Sequence, residues 1–272
     1  MKQNEPIVSV LMTAYNREKY IAEAIESVLA STYNNFELII VDDCSKDKTV
    51  DIARHYEAID KRVKVYVNEK NLGDYTNRNR AASYAKGKYI KYLDSDDVIY
   101  PHCLQVMVDA MEKFPMAGYG LSAVYDAKGP YPSLLNPHDA YIEHFYGFGH
   151  FNRAPGSSII RRDVFEEVER FSTLRHVGDS DMWYKLSLKY DLIKLPQDLY
   201  WARIHPGQEL QTETKNKKFQ KIRKDLIYSY IMNKNCPLSE EEKSEIKKLL
   251  TKRYIKAQMG KLLKLFRFGC IV

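Results

Sequence analysis

Through the first hundred residues, short apolar β-branched runs alternate with amphipathic stretches, and the runs end in polar or acidic clusters. Residues 7–12 (IVSVLM) form the first run. Ile21, Ala24, Ile25, Val28 and Leu29 then recur at helical spacing, with Asn16 placed to cap that helix. Residues 36–41 (FELIIV) repeat the strand signal and stop at Asp42-Asp43-Cys44-Ser45, before a helix with Val50, Ala53 and Tyr56 on one face. Residues 62–67 give a third strand and 76–85 a helix stopped by Gly87. A fourth strand, 89–93, runs into Asp94-Ser95-Asp96-Asp97. Strands alternating with helices predict a mostly parallel sheet covered on both faces, which receives ligands at the carboxyl ends of its strands. The acidic clusters fall at that edge.

Pro101 opens another helix with Leu104, Val108 and Met111 facing inward, and residues 117–125 read as a fifth strand. Residues 126–156 lose periodicity and become rich in Pro, Gly, His and aromatic side chains, so they are expected as long loops over the site. Tyr119, Tyr125, Tyr131, Tyr141, Phe145, Tyr146, Phe148 and Phe151 could stack on a sugar, although most such rings are core packing. Order returns with residues 157–160, helices near 163–171 and 181–190, and an extended pair at 192–195 and 199–204.

The size of 272 residues fits one large domain or a domain with an appendage. Cys44, Cys103, Cys236 and Cys270 match neither a zinc pattern nor a disulfide framework, which makes a reducing cytosol the default. No apolar run approaches the roughly 20 residues of a membrane-spanning helix, and residues 1–6 lack the apolar core of a signal peptide. Residues 1–214 carry 26 Lys and Arg against 31 Asp and Glu, a net of −5, whereas residues 215–272 carry 16 against 5, a net of +11. A nucleic-acid binder would spread basic charge over a reading surface, so nucleic acid is excluded as a partner. A slightly acidic body (1–214, halves 1–100 and 101–214) is expected to carry a basic helical tail (215–272).

Asp94-Ser95-Asp96 is the sharpest chemical signal. Side chains two apart on a strand point the same way, so Asp94 and Asp96 are expected to meet on one side while Asp97 points elsewhere. Two adjacent carboxylates call for a cation, and a hard divalent metal completed by substrate phosphates suits them. The alternative is a solvated acidic turn capping the next helix.

Four segments follow in order at the strand ends: residues 8–16 (VSVLMTAYN), 41–49 (VDDCSKDKT), 77–80 (NRNR) and 92–97 (YLDSDD). Together they resemble the amino-terminal half of family-2 glycosyltransferases, inverting enzymes of the GT-A fold that use nucleotide sugars. The likeness extends over roughly residues 6–210. The resemblance implies an α/β, Rossmann-like GT-A domain (nucleotide half 1–100, acceptor half 101–214) that binds a UDP-sugar through Thr13, Ala14, Tyr15, Asn16, Asp43, Arg78, Asp94 and Ser95. Asp43 would accept from the uracil N3–H, an aromatic or backbone edge would cover the ring, and Arg78 would contact the base or the diphosphate. Otherwise Asp43 is a helix N-terminal acid and Arg78 a surface ion-pair former. By the same resemblance Asp96 and His205 would hold Mn²⁺ or Mg²⁺ against the diphosphate, and Asp179 would be the base that takes the acceptor proton.

The family commonly carries a Glu-Asp pair at that base. Here Gly178 stands in place of the Glu, and Asp181 is a second candidate; about 200° separates the two positions on a helix, so only one faces the cleft easily. Asp179 or Ser180 could instead merely cap the following helix.

In the tail, Ser239 and Glu242 form a capping box, opening a helix whose Ile246, Leu249, Leu250, Ile255, Met259, Leu262, Leu263 and Phe266 make an apolar stripe among Lys and Arg. Through residues 239–268 it would contact an anionic membrane surface, dock on the body or self-associate. The expected activity is transfer from a UDP-sugar to a glycan or lipid-linked glycan in bacterial surface polysaccharide synthesis, in the cytoplasm or on the inner membrane face. The rivals are a sugar-phosphate nucleotidyltransferase, a receiver-like signalling domain and a binding-only homologue. The first would need a Gly-rich loop after the first strand, which residues 13–17 lack, and the second would be about half this length.

Overall fold

The computed structural model describes residues 5–122, 129–147, 149–205 and 217–268, with backbone alone at 217–218 and 255–268. Its centre is an eight-stranded sheet in the order β3-β2-β1-β4-β8-β6-β9-β7. β1 (Val8–Ala14), β2 (Phe36–Asp42), β3 (Val63–Val67) and β4 (Tyr89–Asp94) are mutually parallel. β1 lies between β2 and β4 with Thr13 opposite Asp94 and Ala14 opposite Asp42. That register brings the polar ends of three strands to one edge.

β8 (Ser158–Arg161) inserts antiparallel between β4 and β6 (Tyr119–Ser122). β9 (Leu192–Leu195) continues parallel to β6, and β7 (Ser133–Leu135) closes the edge antiparallel to β9. The sheet is therefore mostly parallel, as expected, with two reversals. Of the segment expected as a strand over 117–125, residues 119–122 are strand; Tyr125 and Phe148 lie outside the described residues.

Helices cover both faces. α1 (Ile21–Leu29), α2 (Thr49–Ile59) and α4 (Cys103–Lys113) pack one apolar cluster that includes Ile25, Leu38, Leu104 and Met111. The opposite cluster gathers Leu11, Ile39 and Tyr92 with α3 (Asp74–Ser83), α5 (Pro137–Tyr146), α6 (Arg162–Glu167) and α7 (Gly178–Ser187). The chain passes close to β1 at Gly87: a Cβ there would come within 2.6 Å of the Ser9 nitrogen, so only glycine fits.

Three expectations need correcting. Asn16 does not cap α1, which starts five residues later without a side-chain cap; it adopts the left-handed conformation that Asn tolerates, and its side chain reaches the loop after β2. The stretch 126–156 holds β7 and α5 rather than loops alone; Asn136 caps α5 by accepting from the Asp139 N–H at 2.9 Å, and Pro137 follows at its first position. Finally, α7 begins at Gly178 rather than near residue 181, which puts Asp179 in its first turn.

α8 (Lys217–Ile231) and α9 (Glu240–Phe268) lie against the α5–α7 face. Leu226, Tyr230, Ile231, Leu238 and Ile246 belong to the same core cluster, and the Tyr230 ring stacks on Tyr184 at 5.1 Å. The capping box forms as expected: Ser239 N donates to Glu242 Oε2 at 2.8 Å and Glu242 N to Ser239 Oγ at 3.2 Å. From Glu240 to Tyr254, α9 docks on the body, with His138 Nε2 2.9 Å from Glu242 Oε1 and Arg253 donating to the Phe145 carbonyl at 3.0 Å. The side chains of Ile255, Met259, Leu262, Leu263 and Phe266 lie outside the described residues. Among the described residues no helix is long and apolar enough to cross a membrane.

Candidate active site

Thr13 and Ala14 end β1, and exposed Tyr15 and Asn16 turn over the edge. The Ala14 carbonyl accepts from the Asp43 N–H at 2.8 Å, Asn16 Oδ1 accepts from Lys46 N at 2.8 Å, and Asn16 N donates to Ser45 Oγ at 2.8 Å. The first two strand-end loops are thereby locked together.

Asp43 is only 4% exposed. Its Oδ1 accepts from Asn68 Nδ2 at 2.7 Å and Leu72 N at 2.8 Å, and its Oδ2 accepts from Gly73 N at 2.9 Å. A carboxylate has about four acceptor positions, so one remains on Oδ2. Asp43 is not a helix N-terminal acid, since α2 starts at Thr49 and Asp47 serves its first turn. Gly73, at φ 82°, allows the turn that delivers this N–H and starts α3.

Arg78 is likewise not a surface ion-pair former. It is 6% exposed, with Nε donating to Asp74 Oδ1 at 2.7 Å and Nη2 to Asp94 Oδ1 at 2.6 Å. Its Nη1 is buried with no hydrogen-bond partner among the described residues. An unmet guanidinium donor is costly in a folded protein and marks a place for an anion or a base edge.

β4 ends at Asp94 and the chain turns, with Asp97 N donating to the Asp94 carbonyl at 3.0 Å. Strand alternation therefore does not continue to Asp96, and the two acids do not meet as expected. Asp94 faces Arg78, while Asp96 Oδ2 lies 3.0 Å from both Arg17 Nε and His205 Nε2. Ser95 is buried in the turn between them. Asp97 accepts from the Arg203 N–H at 3.0 Å, and burial beside Asp94 pushes its carboxyl up to about 7.

His205 arrives through a second small sheet. β10 (Tyr200–Trp201) pairs antiparallel with β5 (Val98–Ile99), and Arg203 Nε donates to the Asp96 carbonyl at 2.9 Å. The Tyr20 ring covers the imidazole at 4.6 Å. Asn16, Arg17, Tyr20 and His205 line a cavity of about 240 Å³.

These residues fit a divalent cation. Asp96 Oδ2 and His205 Nε2 stand 3.0 Å apart, close enough to reach one cation, which would take the place that Arg17 Nε holds on the same oxygen. A carboxylate oxygen and an imidazole nitrogen suit Mn²⁺, and less well Mg²⁺, with phosphate oxygens completing the shell. Among the described residues no three His, Cys, Asp or Glu side chains converge on a cation site.

Asp179 lies half-buried at the start of α7. Its N–H donates to Tyr75 Oη at 3.2 Å, and its Oδ1 accepts from Ser180 N at 2.6 Å. Burial pushes its carboxyl up to about 6, against the Ser180 N–H and the Arg78 charge, which hold it down. Asp181 faces the other way. It is 4% exposed and accepts from the Tyr230 hydroxyl at 2.7 Å, with Lys185 Nζ 3.5 Å away.

α3 joins the two ends of the site: Tyr75 touches Asp179, and Arg78, one turn on, holds Asp94. Sequence reasoning missed Tyr75, the Arg17 contact to Asp96, and the Asn68 support of Asp43. It also missed Lys91, fully buried within β4, whose Nζ donates to the carbonyls of Tyr92 and Gly156. A lysine inside an apolar strand was the available signal for that last one.

Comparison with known proteins completes the assignment. Residues 9–169, more than half the chain, match the family described as glycosyl transferase family 2. A glycosyltransferase of Methanocaldococcus jannaschii, named as uncharacterized, is 32% identical over 241 residues, covering 80% of this chain and 82% of its own. TuaG of Bacillus subtilis, a glycosyltransferase provisionally assigned to teichuronic acid biosynthesis, is 41% identical over 123 residues. That match spans 44% of this chain and only about half, 49%, of TuaG. S. aureus TarS residues 1–349, solved with UDP-GlcNAc, superposes with a TM-score of 0.70 at 23% identity, over 88% of this chain and 70% of that one. The mannosyltransferase PcManGT of Pyrobaculum calidifontis, solved with GDP-Man and Mn²⁺, gives 0.62 at 16% identity, over 97% and 81%. The fold is that of the GT-A glycosyltransferases. The chain belongs to glycosyl transferase family 2 and is a glycosyltransferase.

Proposed function

We propose that the protein transfers a sugar, with inversion, from a UDP-sugar to a hydroxyl of a glycan or lipid-linked glycan in surface polysaccharide synthesis. The observation that carries this reading is the buried Nη1 of Arg78 beside Asp94, which has no hydrogen-bond partner among the described residues and lies on the same helix as the residue that touches Asp179. The remaining acceptor position on Asp43 supports uracil recognition through N3–H, Thr13 and Tyr15 flank the base, and Asp94 and Ser95 face the ribose. Arg78 Nη1 donates to the base or diphosphate. TarS with UDP-GlcNAc and the polysaccharide assignment of TuaG support the donor and setting.

Asp96 and His205 would hold Mn²⁺ or Mg²⁺, which supplies positive charge to the departing diphosphate. Asp179 removes the proton of the acceptor hydroxyl. The acceptor oxygen bonds to the anomeric carbon as the bond to the diphosphate oxygen breaks, and the electron pair leaves with UDP. A carboxylate held near 6 is basic enough to share that proton while ionised at neutral pH.

Asp179→Asn is expected to lower kcat by at least about 100-fold, the usual range for a general base. UDP binding by the same variant, read by calorimetry, should stay within twofold. Parallel loss of both would remove Asp179 from the base role. Screening UDP-, GDP- and TDP-sugars with Mn²⁺ for a rise in Tm tests the donor, because a ligand of the folded state alone stabilises it.

A further inference from the structure

We propose that Tyr75 is a positioning residue for Asp179, seated in the space that a side chain at position 178 would fill. The proposal rests on the base reading above and extends it to a residue 104 positions away in the chain.

The geometry is mutually exclusive. A Cβ built on Gly178 would lie 2.8 Å from each of Cε1, Cε2 and Cζ of Tyr75, that is, on the ring face near its hydroxyl end. Real side-chain atoms do not approach so closely. The ring has little freedom to withdraw, being 9% exposed and 5.5 Å from the Phe171 ring. Gly178 is thus a glycine because the phenol occupies the space a side chain there would take. From that space Tyr75 Oη accepts the Asp179 N–H, which fixes the first turn of α7 and the root of the Asp179 side chain. Among the described residues the Tyr75 O–H has no hydrogen-bond acceptor, so it remains able to donate to the Asp179 carboxylate or to a hydroxyl brought beside it.

The exchange also alters the electrostatics. A glutamate at 178 would set a second negative charge beside the base and raise its proton affinity further. A neutral phenol does not. The charges that face Asp179 are then Asp74 and Arg78 from α3 and Arg223 from α8, and burial supplies the remaining upward push. Burial and the neighbouring Asp179 hold the Tyr75 hydroxyl protonated, which keeps it a donor throughout the working pH range.

Three variants test this. Tyr75→Phe keeps the ring and removes the hydroxyl; kcat should fall about tenfold, the loss of one hydrogen bond of about 1.4 kcal/mol, while the donor KM stays within twofold. Gly178→Glu should lose at least about tenfold in activity and several degrees in Tm, as expected for overpacking. Tyr75→Ser combined with Gly178→Glu should recover both, since the carboxylate then finds the space vacated by the phenol. An unchanged kcat and pH–rate profile for Tyr75→Phe would reduce Tyr75 to a packing ring and overturn the proposal. A double variant no better than Gly178→Glu alone would equally overturn it. Failure of the base reading shows separately, as full activity of Asp179→Asn, whereas Tm coupling between positions 75 and 178 does not depend on which group is the base.

Discussion

The carboxyl of Asp179 moves from an ordinary value of 3.8 to about 6 on folding, and that shift acts on stability and rate in opposite directions. Its protonated form is favoured in the folded protein, so its stabilising contribution is complete below about pH 4 and is lost as pH rises through about 6. Asp179→Asn should therefore raise Tm at pH 7–8, reflecting a gain in stability no larger than about 3 kcal/mol, and change it little at pH 4. Transfer needs the ionised base, so the wild-type rate should fall as pH drops through about 6. A Tm gain equal at pH 4 and pH 8 would contradict the burial origin of the shift. At this scale the sequence showed which residues carry charge but not what they face. Asp94 to Asp97 were legible because acids ending an apolar strand must lie at the sheet edge. Tyr75 was illegible because nothing local distinguishes a tyrosine on a helix until α7 arrives against it.

Between elements, one polar tie of the tail to the body runs through a buried group. Asp181 points away from the cleft and depends on the Tyr230 hydroxyl of α8; its second oxygen has no hydrogen-bond partner among the described residues, although Lys185 Nζ stands 3.5 Å off. Removing that hydroxyl in Tyr230→Phe leaves a buried carboxylate under-satisfied, at a cost of about 1–3 kcal/mol, which urea unfolding should reveal as a lower midpoint with an unchanged slope. The ring stays in place against Tyr184, so a larger loss would mean that packing rather than the hydroxyl matters. Helical periodicity made α1, α2 and α4 legible because each buries one stripe on the sheet. It failed for α5, where Ala140, Tyr141, His144 and Phe145 form the buried face and a histidine breaks the apolar pattern. His144 is buried all the same: its Nδ1 accepts from Phe151 N at 2.9 Å and its Nε2 lies 2.9 Å from the Tyr184 hydroxyl. The position of β8 was legible but its reversed direction was not, since pairing partners are set by the three-dimensional path and not by the apolar run itself.

Across the whole molecule, the abrupt change in charge at residue 215 suggests a boundary, whereas side chains from α8 and α9 belong to the core of the body. Leu226, Tyr230, Ile231, Leu238 and Ile246 complete the cluster that also holds Tyr141, Trp183 and Tyr184 beneath the candidate base. Each large apolar side chain of this kind contributes roughly 1.5–3 kcal/mol when buried, so together they approach the roughly 5–15 kcal/mol net stability of an average domain. A chain shortened after residue 214 should consequently be insoluble, or soluble without a cooperative thermal transition, and should bind no UDP. One shortened after residue 254 keeps all five side chains and should melt cooperatively, with UDP affinity close to that of the full chain. A well-folded 1–214 fragment would mean that charge, not packing, marks the working boundary. The packing bears on function because α7 is held between Tyr119 of β6, which stacks on Trp183, and Tyr230 of α8, which stacks on Tyr184. Weakening the α8 contact short of unfolding, as in Tyr230→Phe, should therefore loosen Asp179 before it disturbs Asp43 or Asp94, so that variant should bind UDP as the full chain does while transferring sugar more slowly.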